Sequence, residues 1–138
     1  MTAIVVGGHS RNTGKTTVAE GLIRALSGCA WTAIKISSHL HADPGEGNYL
    51  ISEETQRDGS SDSSRFLAAG AVRSYWVGVR GGHLQEVLPR LQPLLGSSRF
   101  VLFESNGILR YLEPDLYIMV IRYSVAEFKK TLGNQTDR

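Results

Sequence analysis

Residues Gly7 to Thr17, GGHSRNTGKTT, have the types and spacing needed to hold a phosphate. Gly14 lets the backbone close around a phosphate without a Cβ in the way. Lys15 can reach β- and γ-phosphate oxygens, and the Thr16 hydroxyl can ligate a Mg²⁺ held by those oxygens. Gly8, Arg11, Asn12, Thr13 and Thr17 are the remaining candidate contacts of this loop. Arg11 reads as touching phosphate or a partner subunit, or else as a surface charge. The spacing departs from G-x-x-x-x-G-K-[ST], which would put its first glycine at position 9. That position is His9 and the nearest glycine is Gly8, so the loop is one residue longer or differently shaped at its start.

A phosphate-bound Mg²⁺ wants a nearby carboxylate, directly or through water. Glu104 answers that need: it ends the apolar run Phe100-Val-Leu-Phe and is followed by Ser105-Asn106-Gly107, where the chain must turn. Its alternative role is to cap the sheet or pair with an arginine. Asp43 is a second candidate for Mg²⁺ or for a water near the γ-phosphate. Lys15, Glu104 and Asp43 are therefore the expected catalytic groups, and Thr16, Glu104 and Asp43 the expected metal contacts. His39, His41 and Asp43 share one side of an extended segment, which resembles a metal site but also suits exposed loop residues. Asn134-Gln-Thr-Asp137 is close to the N-K-x-D that reads guanine. It has no strand leading into it, so the base stays open between GTP and ATP.

Placing these groups requires strands and helices in a particular order. Ile4-Val5-Val6 precedes the loop, and Val18, Leu22 and Leu26 recur at helical spacing after it, with Glu20 and Arg24 left as a solvated pair. This predicts a strand at 2–7, a phosphate loop at 8–15 and a helix to about Ser27, stopped by Gly28. A new helix also turns the positive end of its dipole toward the ligand. Trp31–Ser37 reads as a second strand carrying Lys35 near its end. Residues 38–61 lack regular patterning, and residues 38–60 are expected to form a long loop responsive to the γ-phosphate, or else a floppy insertion.

Asp62–Ala71 reads as a short helix with Asp62 as its N-cap and Gly70 as its stop, and Val72–Val79 as a strand. A helix with core face Leu84, Val87, Leu88, Leu91, Leu94 and Leu95 follows, which Pro89 and Pro93 should kink or divide. Phe100–Glu104 and Asp115–Ile121 read as strands covered on both faces, and a short helix over 125–132 closes the chain. Strands alternating with helices imply an α/β fold in three layers, α/β/α, with a mostly parallel sheet. In such sheets ligands sit at the carboxyl ends of the strands.

Bulk properties narrow the class. The 138 residues fit a single domain, and the chain stops soon after a helix where another strand would be expected. No apolar run approaches the ~20 residues of a bilayer span, and the start lacks a basic signal-peptide region. One cysteine, Cys29, excludes an intramolecular disulfide and a cysteine metal cluster, which points to a cytoplasmic setting. A net charge of +2 with interspersed signs gives no argument for nucleic acid.

The chain resembles the molybdopterin-guanine dinucleotide biosynthesis protein B (MobB) family of small P-loop GTP-binding proteins. The likeness rests on GGHSRNTGKTT, on Lys35-Ile-Ser-Ser-His39-Leu-His41, on Asp43-Pro44-Gly45 and on Asp62-Ser-Ser-Arg65 through Ala69-Gly-Ala71. Phe103-Glu104-Ser105-Asn106 stands where that family has V-E-G. The resemblance implies a P-loop NTPase fold, Mg²⁺-dependent nucleotide binding, slow hydrolysis and a homodimer that assists a cofactor-biosynthesis partner protein. The longer loop has a spacing more like that of dethiobiotin synthetases, an ATP-dependent branch of the same superfamily. An ATP-dependent ligase, with Lys35 as a group for an acid substrate, is thus an alternative. A non-enzymatic, nucleotide-gated adaptor is another.

Overall fold

The structure, a computed structural model, describes residues 1–8, 14–38 and 47–122. Arg11, Asn12, Thr13, His39, His41, Asp43, the 125–132 segment and Asn134–Asp137 lie outside the described residues.

The elements run β1 (Thr2–Gly8), α1 (Lys15–Ala25), β2 (Thr32–Ser37), β3 (Tyr49–Glu53) and α2 (Asp62–Ala69). They continue with β4 (Arg73–Val79), α3 (Leu84–Leu95), β5 (Phe100–Glu104) and β6 (Leu116–Val120). They form a mixed α/β domain around one six-stranded sheet of order β3-β4-β2-β5-β1-β6. Every neighbouring pair is parallel except β3 with β4.

Side chains alternate across a strand, so each apolar run divides between the two faces. Ala3, Val5, Ile34, Val101 and Phe103 pack toward Val87, Leu91 and Leu95 of α3. Ile4, Val6, Ala33 and Leu102 pack toward Ala19 and Ile23 of α1 and Phe66 and Ala69 of α2. Helices thus cover both faces, and the middles of β1 and β5 are apolar on both sides because neither side meets water. Trp31 closes the α1–β2 connection: its Nε1 donates to the Leu26 carbonyl at 2.9 Å and its ring meets Phe100 edge-on at 5.6 Å.

Several expectations are corrected. The stretch 38–61 is not irregular throughout, because β3 runs antiparallel along β4. Its alternation, with Tyr49 and Ile51 packed on the core and Leu50 exposed, is too short to stand out from polar neighbours. α1 ends at Ala25 rather than Ser27, and residues Ser27–Cys29 form a single 3-10 turn. The N-cap of α2 is Ser61, with Asp62 in the first turn. Pro89 and Pro93 do not divide α3; both are exposed, while Val87, Leu91 and Leu95 pin one continuous helix to the sheet. Among the described residues β6 is an edge strand, and Leu116, Tyr117 and Met119 are exposed, so it is not covered on both faces. Glu20 pairs with Arg65 of α2 at 2.8 Å instead of standing as a solvated partner of Arg24.

Among the described residues, no helix is long and apolar enough to cross a membrane.

Candidate functional site

The register fixes which groups meet at the carboxyl ends of the strands. Ala33 and Leu102 face α1 and α2, so Lys35 and Glu104, two residues on, face the same way. Cross-strand pairing then sets Ser52, Trp76, Lys35, Glu104 and Val6 in one transverse row. This row is the floor of the site.

α1 rises beside it. Gly14 stands before its first residue with φ of 98°, a left-handed conformation that side chains with a Cβ rarely adopt, and its carbonyl accepts from Val18 at 3.0 Å. Among the described residues no side chain caps this helix, and its first turn contains no acid. The first N–H groups of any helix lack intrahelical acceptors, so this end offers donors and a positive dipole.

Four expected site residues, Gly8, Lys15, Thr16 and Glu104, come together here. Thr16 Oγ1 donates to Glu104 Oε1 at 2.5 Å. Lys15 Nζ donates to Asn106 Oδ1 at 3.0 Å, and the Gly8 N–H donates to the same oxygen at 2.9 Å. Thr17 lines the same cleft, its hydroxyl accepting from Arg65 Nη2 at 3.3 Å. Glu104 is 1 % exposed, and a buried carboxylate needs a cation. Lys35 supplies it through an ion pair, and its ammonium also reaches Asp62 at 2.9 Å.

These contacts set the protonation balance. Burial lowers the pKa of Lys15, only partly offset by Glu104, and the nearby Lys35 ammonium adds to the depression. Burial also works against the Lys35 charge, but Glu104 and Asp62 outweigh it and raise its pKa. For Asp62 burial is again outweighed, here by hydrogen bonding and charge from Lys35, so its pKa is lowered.

Sequence reading missed the partners of these groups. Lys35 appeared as a lone strand-end cation, whereas it ties Glu104 to the first turn of α2. Asn106 appeared only as a departure from a family pattern, whereas it holds Lys15. Strand parity alone would have put Lys35 and Glu104 on one face, but their adjacency requires the strand order.

The site opens into a cleft of about 1220 Å³. Lys15, Lys35, Arg65, Arg80 and Arg110 line it against Glu54, Asp62 and Glu104. Glu54 is satisfied locally by the Ser61 and Ser63 hydroxyls and the amides of Thr55 and Gln56. Lys35 is shared by the other two carboxylates, and the five cations of the lining outnumber its three carboxylates, so the wall favours an anion. As for a metal, no group of three or more His, Cys, Asp or Glu that could hold one occurs among the described residues. Thr16 and Glu104 do bring a hydroxyl and a carboxylate together, the hard oxygens that suit a Mg²⁺ sharing its shell with phosphate and water. The chain matches no protein-family model, no curated protein and no solved structure.

Proposed function

We propose that this chain binds a nucleoside triphosphate with Mg²⁺, GTP in preference to ATP, as a P-loop protein of the MobB type with slow hydrolysis. The observation that carries the reading is a convergence. A glycine-led helix start with no side-chain cap among the described residues, the Lys15 ammonium and the Thr16–Glu104 pair meet at the strand ends of a mostly parallel sheet, beside a cationic cleft. Lys15 and the first-turn amides would hold the β- and γ-phosphates. Thr16 and Glu104 would hold the Mg²⁺, which when bound neutralises charge on the phosphate oxygens. Hydrolysis would then follow from positioning and charge neutralisation, without a covalent intermediate. The resemblance extends the proposal to a homodimer serving a cofactor-biosynthesis partner.

A ligase that joins an acid substrate is less well supported, because the cation it would use, Lys35, is engaged by Glu104 and Asp62. The deciding experiment is a calorimetric panel of GTP, ATP and their diphosphates, with and without Mg²⁺, on wild type and Lys15→Ala. Lys15→Ala is expected to weaken triphosphate binding on the order of a hundredfold while still folding with a cooperative melting transition. Wild-type affinity in that variant would remove the site assignment. Phosphate release that rises on adding a small carboxylic acid would favour the ligase instead.

A further inference from the structure

The side chain of Asn106 meets the same donors that a phosphate needs. Its Oδ1 accepts from the Gly8 N–H at 2.9 Å and from Lys15 Nζ at 3.0 Å. Both partners can only donate, so chemistry places the amide oxygen, not the nitrogen, toward them. A backbone amide from a glycine turn plus a lysine ammonium is the donor set that cradles a phosphate oxygen.

We propose that Asn106 is an internal occupant of the phosphate site, holding Lys15 and the Gly8 amide until a phosphate oxygen displaces it. This rests on the phosphate-binding reading above and adds a device that sets its affinity. The loop carrying Asn106 is fixed on both sides of it. The Ser105 N–H donates to the Val6 carbonyl at 3.0 Å, and Ser105 Oγ accepts from the amides of Gly107 and Ile108, both at 3.2 Å. Ile108 is fully buried. Gly7 admits this loop closely: a Cβ there would stand 3.0 Å from the Ser105 carbonyl oxygen. Asn106, in contrast, is exposed. Its side chain can therefore swing away while the backbone stays in place.

The occupant is a neutral amide, so a charged phosphate outcompetes it, but the apparent affinity falls by the fraction of molecules in which it is seated. Removing it should tighten binding, whereas removing an ordinary ligand contact should weaken binding. The sign of the effect decides.

The test titrates the full chain with tripolyphosphate, and in parallel with GTP and ATP plus Mg²⁺, in wild type, Asn106→Ala, Asn106→Ser and Asn106→Asp. Alanine lacks the oxygen and serine is too short to reach Lys15. Both are expected to bind tripolyphosphate tighter on the order of fivefold, the scale of one ordinary intramolecular hydrogen bond. Aspartate puts a carboxylate on Lys15 and should bind at least as much more weakly than wild type. Alanine and serine variants that bind tripolyphosphate no more tightly than wild type would overturn the proposal. If the predicted order holds for tripolyphosphate but GTP and ATP bind no better than it, the occupant stands and the nucleotide reading falls. An absence of binding in every variant sinks both.

Discussion

Two helices begin on the same face and at the same end of this sheet, and their first turns are built in opposite ways. At α2 the Ser61 hydroxyl accepts from the Ser64 amide while the Ser64 hydroxyl accepts from the Ser61 amide. Asp62 adds an acid in the first turn, and Glu54 fixes the Ser61 and Ser63 hydroxyls. At α1 the leading residue is Gly14, the next is Lys15, and no side chain among the described residues caps the end. The dipole and orphan amides are common to every helix. Under the phosphate-binding proposal these assets of α1 serve an external anion, whereas α2 satisfies its own with Ser61, Ser64 and Asp62.

The two ends are also tied together. Lys35 links buried Glu104, beside Thr16 of α1, to Asp62 of α2, and Arg65 of α2 reaches Glu20 and Thr17 of α1. Breaking the first tie should have the largest effect. Lys35→Met leaves Glu104 buried without its cation and is expected to cost about 3–5 kcal/mol in urea unfolding at neutral pH. Adding Glu104→Gln should recover most of that loss, because the uncompensated charge is gone. A single variant that loses less than about 1 kcal/mol would mean that water or another group already serves Glu104. Next in size is Gly14→Ala. Among the described residues its Cβ would meet only Val120, at 4.0 Å, so the cost is backbone strain at positive φ, about 1–2 kcal/mol, read in the same unfolding experiment.

The contrast between the helix starts explains how far the sequence could be read. The helical spacing that starts α1 at Lys15 and the strand-end position of Glu104 are local patterns, each set by residue type within a few positions. They were legible, as were the apolar runs that make β1, β2, β4 and β5. β3 was not, because five residues with one clear alternation cannot compete with surrounding polar sequence. β6 looked like a central strand because Leu-Tyr-Ile-Met-Val has the same composition whether a sheet ends there or continues. The roles of Asn106 and Lys35 depend on contacts 91 and 69 residues away in sequence, which no local pattern encodes.

A smaller effect tests the closed end alone. Ser61→Ala removes the N-cap of α2 and is expected to cost about 1 kcal/mol. Because α1 does not use this cap, tripolyphosphate affinity should stay at the wild-type value. A change in affinity comparable to that from Lys15→Ala would show that the two ends are not separable.

The smallest effect, and the sharpest for the comparison, lies in pH dependence. Asp62 has a lowered pKa, so its contribution is present above the unfolded value of about 3.9 and is lost as pH falls through the folded value. Lys35 has a raised pKa, so its contribution is present below about 10.4 and is lost as pH rises through its folded value. The melting-temperature difference between wild type and Asp62→Asn should therefore be level across neutral pH and shrink at both extremes. Lys15, at the open end, runs the other way. Its pKa is lowered, so holding it charged opposes folding, and that opposition is relieved as pH rises from its folded value toward about 10.4. Lys15→Met should remove this alkaline gain, leaving only the Lys35 loss. If Lys15→Met and wild type keep a constant stability difference from pH 7 to 11, Lys15 is not a strained, ligand-awaiting cation and the distinction between the two helix starts loses its electrostatic half.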